Sequence, residues 1–169
     1  MKASGFPTAP MASEGLEPDR LGLFNSHQRL ATSVSPRGRL KIGGGTPPIL
    51  TRHGWLILCD GVSRMAEPSN DGRQLCYSAG MKVLSKEHLR EIRYRSAEQE
   101  LTPELPQERH RTIAKVVFPT SIDRCDDLGS PNRFDVYYGM ADNRIGAARL
   151  DLPDFLPLGR PADPPGTKV

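Results

Sequence analysis

Apolar and polar positions alternate in short runs through the middle of this chain, and glycine, proline or charged clusters end nearly every run. That period of two marks half-buried strands rather than helices. Residues 48–51 and 55–62 flank Arg52-His53-Gly54, a hairpin turn signal. A polar loop over 67–73 follows, and residues 75–84 alternate through Tyr77, Ala79 and Met81. Residues 86–90 have the composition of one helical turn before a strand at 92–95, and the proline-punctuated stretch 102–111 reads as a long connection. Residues 113–122 predict an apolar strand broken by Pro119, and strands at 134–140 and 144–152 follow a loop over 126–132. No segment has a sustained helical period, so the expected fold is all-β, built of antiparallel meanders.

The strands also suggest an internal repeat. Residues 55–61 followed by 77–84 parallel residues 134–139 followed by 145–152: each unit has an apolar strand ending near a glycine, then a strand containing small residues. Repeated sheet units point to propeller blades, whose ligands sit at the mouth of a central channel. The ends differ. Residues 1–38 mix Pro, Ser, Gly and Ala with scattered charge and predict a poorly ordered leader, with a short helix around 17–24 as the alternative. The proline-rich stretch 158–169 predicts a disordered tail.

Composition narrows the function classes. The 169 residues suit one domain and one core. A net charge of +3, with no dense basic run, gives no footprint for nucleic acid. No apolar stretch approaches the length of about 18 residues that marks a membrane span. The start lacks an apolar signal segment, and Cys59, Cys76 and Cys125 form an odd set without CxxC spacing. Both features lead us to expect a cytoplasmic protein with reduced thiols and no metal centre.

Candidate chemistry concentrates in Lys41-Ile42-Gly43-Gly44-Gly45-Thr46-Pro47-Pro48, which runs toward Gly54-Trp55-Leu56-Ile57-Leu58-Cys59-Asp60-Gly61-Val62. A lysine beside bare glycine backbone can hold a phosphate or sugar group, and the two prolines bar the segment from a central ladder. It is not a Walker loop, because the Gly-Lys-Ser/Thr ending is absent. Read without relatives, Lys41 is more simply a solvated surface lysine than an anion clamp.

Together with Tyr77-Ser-Ala-Gly80, Val116-Val-Phe-Pro-Thr120 and Asp135-Val-Tyr-Tyr-Gly-Met-Ala-Asp-Asn-Arg-Ile-Gly146, these motifs resemble glycoside hydrolase family 130, the β-mannoside phosphorylases and mannosidases. The resemblance covers roughly residues 39–157 and implies the C-terminal part of a five-bladed β-propeller, about two to three blades. Residues 1–38 show no likeness to the family's first blades. It further implies phosphorolysis of β-mannosides to mannose 1-phosphate, or hydrolysis, with inorganic phosphate as co-substrate and no other cofactor. The partner implied is a β-mannoside oligosaccharide.

Position by position, the resemblance places Lys41 on the phosphate-contacting lysine and Asp142 on a sugar-contacting aspartate, with Tyr138 or Tyr137 as an aromatic wall. Asp142 can also simply open the turn before Ile145. Asp60 departs from the family, which has histidine there. A carboxylate would repel phosphate and pair with Lys41, either as a water-activating base or as the mark of a decayed site. Lys115 replaces an asparagine, and Arg144 is a candidate rim cation. No residue matches the general acid, which belongs to the absent blades. The chain is therefore expected to be weakly active or inactive alone, the alternative being a non-catalytic carbohydrate-binding or decayed fragment. An open propeller edge would also favour self-association or pairing with a missing N-terminal half.

Overall fold

The computed structural model describes residues 30–31, 39–65, 74–109, 113–125, 129 and 131–157. The leader expectation, apart from residues 30–31, the tail expectation, and most of the 67–73 and 126–132 loops lie outside the described residues. Among the described residues, eight strands and one helical turn lie within the unit Ser33–Ala162. They are β1 (Arg39–Ile42), β2 (Ile49–Thr51), β3 (Gly54–Arg64), β4 (Leu75–Leu84), β5 (Ile92–Arg95), α1 (Pro106–Arg109), β6 (Val117–Arg124), β7 (Arg133–Met140) and β8 (Arg144–Asp151). The fold is all-β, as its alternating sequence requires.

Two antiparallel sheets form. In the first the order is β1-β3-β4-β5, with β2 also paired to β3; in the second it is β6-β7-β8. Strand β3 organises the first sheet because alternation buries Leu56, Leu58, Asp60 and Val62 along one face. Arg52 and His53 make the turn between β2 and β3, where Thr51 pairs with Gly54. Gly54 holds a φ of 132°, and a Cβ there would meet the Leu84 carbonyl oxygen at 2.1 Å. Both conditions require glycine. The strand pairs of the sequence repeat, β3 with β4 and β7 with β8, are antiparallel neighbours.

The two sheets share one core. Leu56, Leu58, Met81, Val83 and Tyr94 pack with Phe134, Val136 and Leu152. A second tie runs through Val116, which bridges to Tyr77 and accepts a hydrogen bond from the Ala141 N–H at 3.0 Å.

Several local expectations are corrected. Strand β6 begins at Val117 rather than residue 113, and Lys115 takes a φ of 59°, a left-handed conformation that ends strand geometry there. Pro119 does not end the strand. It sits at a register shift on an edge strand, where a missing N–H is tolerated. Residues 86–90 form turns rather than a helix, because the Ser85 hydroxyl accepts the N–H groups of Glu87 and His88. The helical turn lies instead at α1, inside the expected long connection. Pro106 opens it, and Glu108 reaches back to accept the Leu105 N–H at 2.8 Å, the glutamate half of a capping box whose cap residue has no hydroxyl to reciprocate.

Candidate functional site: a cationic cleft at the glycine-rich edge

The segment from Lys41 to Ile49 behaves as one edge strand interrupted by glycines. Lys41 itself lies in β1, paired with Val62, rather than in a loop. Beyond it, the Gly43 N–H donates to the Asp60 carbonyl at 3.1 Å and the Thr46 N–H to the Leu58 carbonyl at 3.0 Å. The Leu58 N–H returns a bond to the Thr46 hydroxyl at 3.1 Å, so a side chain takes over one ladder acceptor. This close approach needs Gly45, where a Cβ would stand 2.3 Å from the Leu58 carbonyl oxygen. Gly44 meets nothing within 4 Å.

This edge borders an open cleft whose lining includes Lys41, Asp60, Ser78, Lys82, Arg95 and Ser96. Strand register sets Lys82 and Arg95 on one sheet face and the Asp60 side chain on the other, since Asp60 pairs with Ala79, three positions before Lys82. Lys82 stands opposite Arg95 across β4 and β5, and both are buried, while Lys41 is exposed at the rim. Three cations against one carboxylate give the described lining a positive balance.

Asp60 is 7% exposed, and its Oδ1 has no hydrogen-bond partner. That oxygen packs on Gly43, where a Cβ would lie 2.2 Å away. Burial pushes the carboxyl above the ordinary carboxylate range, while its own backbone N–H and the Lys82 charge act in the opposite direction. Among the described residues no ion pair joins Asp60 to Lys41. The expected pairing with Lys41 is not formed, and the Lys82 charge is the smallest of the three influences on the carboxyl.

The two candidate sugar contacts lie elsewhere. Asp142 is exposed in the turn between β7 and β8, with φ of 52° after Ala141 at 49°, and it does not line the cleft. Strand alternation turns Tyr138 inward. It is buried, its hydroxyl donates to Glu108 Oε1 at 2.8 Å, and its ring covers Gly146, so it is not an open sugar wall. The exposed ring of the pair is Tyr137. Burial, followed by the Glu108 contact, pushes the Tyr138 hydroxyl up to about 12. Arg144 is exposed at the start of β8.

Sequence reasoning missed Lys82, Arg95 and Glu108. The signals were present: a lysine inside the apolar run Met81–Leu84, and a proline two residues before a glutamate in Leu105-Pro106-Gln107-Glu108. Among the described residues no group of three His, Cys, Asp or Glu side chains could hold a metal ion. No helix among them is long and apolar enough to cross a membrane.

An all-β chain with a cation-lined cleft beside a glycine-rich edge has clear relatives. A solved β-1,2-mannobiose phosphorylase from Listeria innocua superposes with a TM-score of 0.61 at 24% identity, covering 76% of this chain and 33% of that one. In sequence, a 1,2-β-oligomannan phosphorylase of Thermoanaerobacter sp. (strain X514) is 32% identical over 115 residues, 68% of this chain and 34% of that protein. A β-1,4-mannooligosaccharide phosphorylase of Ruminococcus albus is 33% identical over 116 residues, 69% of this chain and 32% of that protein. Residues 29–158 match the family model described as beta-1,4-mannooligosaccharide phosphorylase. The chain belongs to this family, glycoside hydrolase family 130. It spans about a third of the length of the curated relatives it matches.

Proposed function

We propose that this chain supplies the phosphate side of a β-mannoside phosphorylase, with the cationic cleft as the phosphate site. Lys41 at the rim serves as the phosphate-contacting cation. The observation that carries this reading is the grouping of Lys41, Lys82 and Arg95 around one cleft next to bare glycine backbone. Phosphate used as a nucleophile needs cations that hold it and offset its repulsion by other anions. In an inverting reaction it attacks from the face opposite an acid that protonates the leaving oxygen.

In this reading the two sheets are two blades of a partial five-bladed propeller within residues 39–157. Asp142 meets sugar hydroxyls at the β7–β8 turn, with Tyr137 rather than Tyr138 as the neighbouring ring. No residue here is assigned as the general acid, so turnover by the chain alone is weak or absent. An open sheet edge is closed by self-association or by a segment carrying the remaining blades, in a cytoplasmic setting.

A second reading follows from Asp60. Its carboxylate, standing where the family resemblance implies histidine, could activate water and make the reaction hydrolysis. Incubating the chain with β-mannobiose and inorganic phosphate separates the two. Phosphate-dependent mannose 1-phosphate supports phosphorolysis, and free mannose independent of phosphate supports hydrolysis. With neither product, phosphate binding remains the test of the site.

A further inference from the structure

A further pair of cations lies where the two sheets meet. The face of β4 that carries Ser78 and Lys82 toward the cleft continues to Cys76. Burial pushes the Cys76 thiol up, against the charges of Lys115 and Arg109, which stand close enough to act on it in the opposite direction. Backbone bonds set these two cations on adjoining segments. The Tyr77 N–H donates to the Lys115 carbonyl at 3.0 Å, and the Val116 N–H to the Glu108 carbonyl at 3.2 Å. Among the described residues neither cation has a carboxylate partner; Arg109 Nε donates to the Pro103 carbonyl at 2.9 Å. Glu108 is buried, and its oxygens already accept from Tyr138, Glu104 and Leu105.

Lys115 also holds a backbone conformation that lysine disfavours. Its φ of 59° is left-handed, a region that asparagine, the residue the family resemblance implies there, adopts more readily. A cation kept against its backbone preference points to a use for its charge. The next residue, Val116, accepts the Ala141 N–H at 3.0 Å. Both are buried at this crossing, while their neighbours Lys115 and Asp142 are half-buried and exposed. We propose that this cation pair reads an acidic group on the sugar: the chain takes β-linked mannuronides, mannosides whose primary alcohol is replaced by a carboxylate, and Lys115 and Arg109 hold that carboxylate. The assignment rests on the Asp142 turn being the sugar contact and adds the substrate class. A neutral mannoside gives the two cations nothing ionised to hold. A carboxylate accepts charge-assisted hydrogen bonds from both, and a guanidinium matches its planar geometry. Asp142 is itself an acid and disfavours the carboxylate on its own side, so the pair sets the orientation of the sugar as well.

Calorimetric titration of the full chain at pH 7, in buffer free of phosphate, with β-1,4-linked mannobiose and with β-1,4-linked dimannuronate tests this directly. Dimannuronate should bind about 10- to 100-fold more tightly, the worth of charge-assisted hydrogen bonds to one carboxylate. In Lys115→Asn that preference should shrink by about 10-fold. Asparagine suits the left-handed backbone, so this variant should melt no lower than the unaltered chain, and a lost preference then reads lost charge rather than lost fold. The comparison of the two sugars on the unaltered chain does not depend on the variant. A preference unchanged in Lys115→Asn would overturn the role of Lys115. Mannobiose binding as tightly as dimannuronate would overturn the mannuronide assignment while leaving the mannoside site standing. Binding of neither sugar would overturn both.

Discussion

The Tyr138 hydroxyl donates to Glu108 Oε1 at 2.8 Å, and both side chains are buried. The same carboxylate accepts the N–H groups of Glu104 and Leu105 through Oε2 at 2.7 and 2.8 Å. One glutamate therefore caps the α1 turn and fastens it to β7. Because Val116 donates its N–H to the Glu108 carbonyl and bridges to Tyr77, this fastening also holds the crossing between the two sheets. Replacing Tyr138 by Phe keeps the ring over Gly146 but leaves Glu108 Oε1 without this donor. The expected loss is about 1–3 kcal/mol, read by urea denaturation. A loss below about 0.3 kcal/mol would show that the bond does not fasten the turn.

The raised Tyr138 hydroxyl sets an alkaline limit. Its folded value of about 12 lies above the ordinary tyrosine value of 10. Above pH 10 the unfolded chain sheds this proton while the folded chain keeps it, so stability contributed below pH 10 falls as pH rises through about 12. Tyr138→Phe should remove this component, giving a shallower fall in melting temperature over that window. Identical slopes in the two proteins would count against it.

Asp60 should cost stability when no ligand is bound. Burial raises its carboxyl, so the folded state favours the protonated form. The contribution is largest below pH 3.8, the unperturbed value, and is lost as pH rises through the higher folded value. Asp60→Asn should therefore melt higher than the unaltered chain at pH 8, by about 2–4 °C, with the gap narrowing toward pH 4. A variant that melts lower at pH 8 would contradict the burial argument.

Adjacent glycines at the site edge should behave oppositely. Gly45→Ala drives a Cβ to 2.3 Å from the Leu58 carbonyl oxygen, so it should cost more than about 2 kcal/mol and disturb the Thr46–Leu58 bonds. Gly44→Ala meets nothing and should be neutral or stabilising by up to about 1 kcal/mol. Equal effects on the thermal melt would show that the edge does not hold the described register.

How much of this was legible depended on which physical signal each part left in the sequence. Strands β4 and β5 could be read to the residue because their alternation is bounded by polar turns. Strand β1 was not read as a strand, because its pairing with β3 is long-range and leaves little local pattern in Arg39–Ile42. Lys41 and Asp60 were legible as candidates through motif resemblance. Their common cleft was not, since it depends on Lys82 facing Arg95 across strands more than ten residues apart in sequence. Alternation foretold that one of Tyr137 and Tyr138 must face inward, and only the packing with Glu108 and Gly146 identified Tyr138 as that residue.

The central claim is that the cleft at Lys41 is a phosphate site, and calorimetric titration of inorganic phosphate into the chain and into Lys41→Ala tests it most directly. The account predicts saturable binding to the unaltered chain and a loss of about 10- to 100-fold in the variant, the worth of one charge-assisted hydrogen bond. Absence of binding to the unaltered chain, or the same affinity in both proteins, would contradict it.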